Sequence, residues 1–511
     1  MDGGMNAMTA QPAGLVRRAL GGHAAIGLLA SALLYIIALT GSVIVIHDRW
    51  QRWEQPSVTE MRTLSPDAAQ AAIEAAMASE AGRPRTTHVY VRMPNEAMPR
   101  AVVTTDSGGR YIDGAGRIVA REDNAWTAFV VGLHEYLHLP ATLGLIVVGA
   151  LGVALSALAV TGVLAHPRIV RDAFRLRARS DPQLAQTDWH NRLGVWTLPF
   201  ALTLAMTGAF IGLGSVGFGV LARAYTGGDL TKIYAPVFGQ EPAENPAAAP
   251  LPDIATALRT LAVRVPGAAG VPGVTPTYVT VHAPGTLGQH VQILATHPRR
   301  LIYGESYMFD ARGRWLGKAG MSDGALGQQA AASAYRLHFG NYGGAAIEVA
   351  YMVCGLVLCV VTATGTSIWL LKRRRRGADG GGLTACWAVV VWGVPLLLVW
   401  LAWVRALGGP TMPLAGLFWG GLAVALVAAA VWPGWVRAGR MRGALWLSVL
   451  ATGAVHLVAF RPEAMGVWAM DAALILVGVV GVSRRRSKRT EGEEAGVITG
   501  SPRQSSFENA L

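Results

Sequence analysis

Leu337-His338-Phe339-Gly340 stands at the mouth of an apolar run that closes on Thr364-Gly365 and the basic cluster Lys372 to Arg376. The same device, a histidine before a membrane-length apolar run and a Thr-Gly pair near its far end, recurs three times. His23 leads to Thr40-Gly41, His134 to Thr161-Gly162 and His190 to Thr207-Gly208. His23 and Thr40 are as far apart as His190 and Thr207, and both histidines have a glycine at i+4, Gly27 and Gly194. His134 and His338 each follow a leucine and stand farther from their Thr-Gly pairs. The helices therefore alternate in type, one-two-one-two, which is the mark of an internal duplication.

Composition agrees with a membrane reading. Of 511 residues, 52% are hydrophobic and only 15% charged, well below the share of about 25% usual in soluble domains. The net charge of +13 does not point to nucleic acid. The basic residues cluster beside apolar runs, at Arg17-Arg18, Arg168 to Arg179, Lys372 to Arg376, Arg437 to Arg442 and Arg484 to Arg489, as an orientation signal does. Both chain ends are thus expected inside. Three cysteines, all in apolar segments, make no disulfide framework and no Cys-x-x-Cys-His haem attachment. The first apolar run is long enough to span and lacks a small-x-small cleavage site, so it reads as an anchor and not a leader.

Taken in order, residues 1–22 are a cytoplasmic lead and 23–47 the first span. Residues 48–133 are a soluble segment, 134–165 the second span, 166–189 a basic cytoplasmic loop and 190–216 the third span. A second soluble segment occupies 217–337, the fourth span 338–371, and a basic linker 372–382. Four further spans over 383–482 give about eight, and a charged tail, 483–511, reads as disordered. Each soluble segment predicts a short helix, from Pro66 with an N-cap at Ser65 and from Asp253. Strands follow, ending in a glycine-turn hairpin at Asp113-Gly114-Ala115-Gly116-Arg117 and at Asp310-Ala311-Arg312-Gly313-Arg314. The predicted fold is a membrane all-α helical bundle, its first four spans an internal duplication, with two periplasmic α/β domains.

Ionisable groups at membrane depth are costly and mark function. Topology places His23 and His190 near one face and His134 and His338 near the other. A lone histidine at a helix mouth reads as an interfacial or capping residue; four in register with a duplication read as ligands. Two histidines from facing helices of a bundle can hold a b-type haem, one on each axial side. Two haems, one in each leaflet, are therefore expected, bound through His23 with His190 and His134 with His338. His138, at i+4 from His134 and hence on the same helix face, is a further candidate ligand. Gly27, Gly41, Gly194, Gly208 and Gly365 leave room for close helices or a flat macrocycle. The Thr-Gly pairs themselves read as packing motifs. His47, His138, His166 and His456 lack counterparts in the other half and read as interfacial. His88, His282, His290 and His297 read as surface residues of the soluble segments, the last three in no strong metal template. Asp471 is the one acidic residue inside the last four spans.

These motifs together, over about residues 15–376, resemble the bacterial PepSY-associated transmembrane proteins, also described as iron-regulated membrane proteins. The resemblance rests on His23-x-x-x-Gly27 with Leu39-Thr40-Gly41, Leu133-His134 with Thr161-Gly162, Trp189-His190-x-x-x-Gly194 with Thr207-Gly208, and Leu337-His338-Phe339-Gly340 with Thr364-Gly365. The two hairpins are similar to those of PepSY domains. The resemblance implies an inner-membrane reductase of ferric siderophores with b-haems on helix histidines, linked functionally to a TonB-dependent receptor. Electrons would enter at the cytoplasmic haem and leave from the periplasmic one to Fe(III). The chain has no Gly-x-Gly-x-x-Gly after a strand, so a quinol or a separate cytoplasmic reductase would supply them. Two other readings stand beside this one. One is a non-redox PepSY protein that binds peptides or regulates a peptidase; the other is a permease component that uses the last four spans.

Overall fold

The computed structural model describes residues 13–166, 181–238, 245–266, 273–297, 301–378 and 381–499. Most of the basic loop after the second span therefore lies outside the described residues.

Among the described residues eight helices are long and apolar enough to cross a bilayer. The first four are α1 (Ala13–Ile44), α5 (Ala141–Ala165), α7 (Leu198–Tyr225) and α11 (Gly344–Arg375). Short helices break the chain around them: α2 (His47–Glu54), α3 (Pro66–Ser79), α4 (Ala125–Tyr136), α6 (Pro182–Trp196), α8 (Thr231–Phe238), α9 (Ile254–Arg264) and α10 (Leu326–Phe339). α1 packs on α5 and α11, α5 on α7, and α6 on α11, closing a bundle. Between α5 and α7 the backbones touch through small residues. A Cβ on Gly149 would lie 3.0 Å from the Gly212 carbonyl carbon, and one on Gly152 only 2.8 Å from the Ala205 oxygen. Close approach of this kind is how helices cohere where lipid supplies no hydrophobic drive.

Three of the expected spans begin later than their histidines. His134 lies on α4, which ends at Leu137 in the left-handed region (φ 55°) before Pro140 caps α5. His190 lies on α6, ended at Thr197 with Pro199 in the first turn of α7. His338 lies on α10, ended by Gly340 (φ 68°). Of the four repeated histidines, only His23 sits within a spanning helix. The cause is local. Left-handed residues and prolines stop one helix and let the next start at a new angle.

The soluble segments differ from the expectation of two domains. They form one sheet. Its strands are β1 (His88–Arg92), β2 (Ala101–Thr105), β3 (Gly108–Ile112), β4 (Ile118–Arg121), β5 (Thr275–His282), β6 (His290–Thr296), β7 (Glu305–Phe309) and β8 (Trp315–Lys318). Their order is β4-β3-β2-β1-β5-β6-β7-β8, all antiparallel. The halves join at β1 and β5, where Tyr90 faces Thr280 at the centre of the register. Each half would otherwise expose a bare edge strand, and mutual pairing removes both.

Alternation decides the core. Val89, Val91, Val279, Val281, Val291 and Ile293 point to one face and are buried under α3 and α9, which also pack on each other. The start of α3 is capped by Ser65, which accepts from Ala68 N, and that of α9 by Asp253, which accepts from Thr256 N. The predicted hairpins are real and duplicated. Asp113 Oδ1 accepts from the amides of Ala115 and Arg117, both at 2.9 Å, and Asp310 Oδ1 from those of Arg312 and Arg314 at the same distance. Gly116 (φ 81°) and Gly313 (φ 71°) then press against the first turns of α3 and α9, a conformation and an approach that suit glycine alone.

The last four spans form a second bundle: α12 (Gly381–Ala388) with a π-helical turn (Val389–Gly393) and α13 (Val394–Gly408), then α14 (Leu414–Val431), α15 (Ala438–Phe460) and α16 (Met465–Thr499). α16 runs on to Thr499 where the sequence suggested a disordered tail from 483; the Arg, Lys and Glu residues of its continuation are good helix formers. Side-chain donors fasten the second bundle to the first. Trp126 Nε1 donates to Leu398 O (2.9 Å), Trp387 Nε1 to Ala363 O (3.2 Å) and Trp419 Nε1 to Leu137 O (3.1 Å). Tyr35 donates to Val391 O at 2.8 Å. Pro395 has no amide to donate to the Val391 carbonyl four residues back, and Tyr35 donates to that carbonyl from the first bundle.

Candidate bis-histidine centres

Each of the four repeated histidines lies against a Thr-Gly pair on another helix. His23 Nδ1 is 3.1 Å from Leu158 O and 3.2 Å from Thr161 Oγ1. His134 Nδ1 is 3.0 Å from Ile37 O and 3.4 Å from Thr40 Oγ1. His190 Nδ1 is 2.9 Å from Val361 O and 3.3 Å from Thr364 Oγ1. His338 Nδ1 is 3.1 Å from Thr207 Oγ1 and faces the Leu204 carbonyl. In every case the carbonyl belongs to the residue three before the threonine.

This pattern fixes the tautomer. A carbonyl oxygen can only accept, so Nδ1 must carry the proton and Nε2 must carry the lone pair. Each threonine hydroxyl donates to the carbonyl four residues back in its own helix, at 2.6 to 2.8 Å. Its oxygen is thereby turned to accept from the imidazole. The glycine beside it supplies the space. A Cβ on Gly41, Gly162, Gly208 or Gly365 would lie 2.8, 3.3, 3.0 or 3.1 Å from the facing imidazole Cε1. The Thr-Gly pairs, read from sequence as packing motifs, are imidazole supports. What hid this is that the partner lies across the bundle. His23 is linked in sequence to Thr40-Gly41 on its own helix, yet it rests on Thr161-Gly162.

The supports bring the histidines together in the expected pairs. The ring centroids of His23 and His190 are 6.2 Å apart, with planes at 80°. Those of His134 and His338 are also 6.2 Å apart, at 36°. The family profile of the PepSY-associated TM region matches residues 21–372, a stretch that contains all four histidines and all four supports and stops short of the second bundle.

The chain belongs to the PepSY-associated transmembrane family. An uncharacterized protein of Pseudomonas aeruginosa is 29% identical over 384 residues, covering 69% of this chain and 92% of that protein.

The fit of a haem to this family member's residues can be tested on the geometry. Metal–imidazole bonds of about 2 Å on opposite sides of one ion put ring centroids roughly 6 Å apart, as in both pairs. Among the described residues no three of His, Cys, Asp and Glu converge on a common point. A pair alone suits a metal that brings its equatorial ligands with it, as haem iron does. Beside the first pair Gly194 has open space where a side chain would project, and Gly27 meets only a Leu158 methyl at 3.7 Å. The residues present fit the group.

His138 does not join the sheet-side pair. Its backbone is left-handed (φ 55°), its Nε2 bonds Phe129 O at 2.8 Å and its ring stacks on Phe129. His138 leaves the face of His134 because α4 ends at Tyr136, before it. His47 pairs with Asp48 at 2.9 Å. The soluble-segment histidines regroup. His88, His282 and His290 are ring neighbours on three adjacent strands, whereas His297 bonds Tyr307.

His456, read as interfacial, is buried. It stacks on Trp53 at 4.2 Å, its Nδ1 meets Asp471 at 2.9 Å and its Nε2 meets Trp53 O at 3.0 Å. Trp53 Nε1 donates to Asp471 Oδ1 at 2.7 Å. The triad joins α2 to α15 and α16. Its only sequence signal was the lone acid, Asp471.

Proposed function

We propose that this protein is a b-haem electron conduit of the bacterial inner membrane that reduces Fe(III) in siderophore complexes on the periplasmic side during iron uptake. The observation that carries the reading is the pair of equivalent bis-histidine centres, each imidazole fixed by a carbonyl and a threonine with Nε2 left for a metal. His23 and His190 would hold one haem, and His134 and His338 the other. When bound, the haems supply one-electron transfer.

The chain's own residues do the rest. The carbonyls of Leu158, Ile37, Leu204 and Val361 fix each ring's tautomer and raise the donor strength of Nε2. Both centres lie along α1, which carries His23 at one and Thr40 at the other, about 25 Å apart by helical rise. That is nearly the hydrocarbon thickness, so one centre falls near each face. Arg17 and Arg18 near the start of α1 and Lys372–Arg375 in the last turn of α11 lie at the end remote from the sheet. The positive-inside tendency favours that end as cytoplasmic and the sheet as periplasmic. A quinol or a cytoplasmic reductase would supply electrons, and a TonB-dependent receptor the ferric complex.

The test is the optical spectrum of the detergent-purified protein, oxidised and dithionite-reduced, with pyridine haemochrome stoichiometry. Two b-haems per chain with low-spin bis-imidazole bands are expected. A colourless protein from haem-replete cells would sink the reading and favour a non-redox peptide-binding role.

A further inference from the structure

The duplication breaks down beside the sheet-side pair. His134 has Val131 at i−3 and Glu135 at i+1; in the matching places His338 has Tyr335 and Phe339. These two rings stack at 6.3 Å and 17°. Phe339 meets His338 edge-on at 5.8 Å, and Tyr303, between β6 and β7, packs on Tyr335 at 6.0 Å. Aromatic contact therefore runs unbroken from the His338 imidazole to the sheet segment, on one half only. Tyr335 and Phe339 are nonetheless 37% and 38% exposed.

A cation accompanies them. Arg336 donates Nη1 to Ile302 O at 3.0 Å and to Tyr303 O at 3.5 Å, while its Nε is buried without a hydrogen-bond partner. Its hydrogen-bond partners are these two backbone carbonyls, and among the described residues no carboxylate lies within ion-pair distance of it. Exposed π faces, free aromatic edges and a guanidinium lacking a counter-ion call for a ligand that is planar, aromatic and negatively charged.

We propose that Tyr303, Tyr335, Arg336 and Phe339 form the docking site for an anionic Fe(III) chelate with aromatic chelating arms. The aromatic arms lie on the Tyr335–Phe339 stack and the net negative charge faces Arg336. This names the substrate class of the site beside His338 and rests on the proposed function for its purpose, though not for the binding itself. The site discriminates against aliphatic chelates, which offer no π face.

The test uses the full chain in detergent and redox-inert gallium(III) in place of iron. Binding of Ga(III) tris-catecholate and of a Ga(III) linear trihydroxamate is measured by titration calorimetry. The catecholate complex is expected to bind more tightly, and to lose about tenfold in affinity in Tyr335→Leu and in Phe339→Leu. Arg336→Gln should weaken it further, Tyr335→Phe should restore stacking and binding, and Val131→Leu in the other half should change nothing. Unchanged affinity across the aromatic variants would overturn the proposal and leave the pair as interfacial anchors. So would equal affinity for the two complexes. Gallium is not reduced and haem is not the readout, so the outcome stands apart from whether the protein proves to carry haem.

Discussion

His23 and His190, on helices from different halves of the chain, hold their ring centroids 6.2 Å apart, and His134 and His338 repeat that distance near the other face. Two centres built alike by a duplicated chain share the same supports, so the same substitutions should disable either one.

The glycine under each ring is the most exacting of these supports. In Gly41→Val the new Cβ would start 2.8 Å from His134 Cε1, and helix backbone cannot retreat to make room. The variant should keep its expression and its first centre but hold one haem per chain in place of two. Gly365→Val should spare the sheet-side centre instead. Haemochrome stoichiometry decides both; two haems in either variant would contradict the assignment.

Threonine acts more gently. Thr161→Val keeps the shape and removes the oxygen that accepts from His23 Nδ1, leaving only the Leu158 carbonyl. Changes of this second-neighbour kind cost roughly ten- to a hundredfold in metal affinity. Haem loss to apomyoglobin should therefore be faster from the variant, with an unaltered low-spin spectrum before loss.

The shared sheet can be tested without any cofactor. Tyr90 and Thr280 are directly opposed across β1 and β5, a spacing of about 4.5–5.5 Å between Cα atoms that a disulfide can bridge. With a protease site placed between α5 and α6, the double variant Tyr90→Cys with Thr280→Cys should stay one species on a non-reducing gel and fall into two on reduction. Two species under both conditions would argue for separate domains.

The Trp53–His456–Asp471 triad binds the second bundle to α2. Asp471 is fully buried, and leaving a buried hydrogen-bonding group without its partner typically costs about 1–3 kcal/mol. His456→Ala should lower the thermal midpoint markedly without shifting the haem bands, and Asp471→Asn, which keeps the Trp53 bond, should cost less. A shifted haem spectrum would instead link the triad to the proposed haem centres.

Acid should loosen the sheet through Glu80. Hydrogen bonds from Ser107, Arg110 and Thr105 hold its carboxyl down at about 2, against an ordinary 4.5. A depressed carboxylate stabilises the fold above its ordinary value, and that contribution is lost as pH falls from 4.5 towards 2. Hydrogen exchange of β2 and β3 should quicken over that window. Glu80→Gln should flatten the response, with faster exchange already at neutral pH.

Much of this was legible in the chain itself. Apolar runs and basic flanks specify spans because lipid tolerates no unsatisfied backbone. The repeated His and Thr-Gly spacings specify the duplication, and the duplication pairs the histidines. Ser65, Asp253, Asp113 and Asp310 announce their caps and turns because those bonds are local. The tertiary structure alone decided which Thr-Gly supports which histidine, since the partners lie across the bundle and no sequence spacing encodes them. It also decided that two soluble segments share one sheet, because β1 and β5 pair across nearly two hundred residues of intervening chain. The same holds for His138, turned away by a left-handed residue, and for His456, buried by Trp53 from far earlier in the chain. Short-range hydrogen bonding can be read from residue order; contacts between distant segments exist only once the helices have packed.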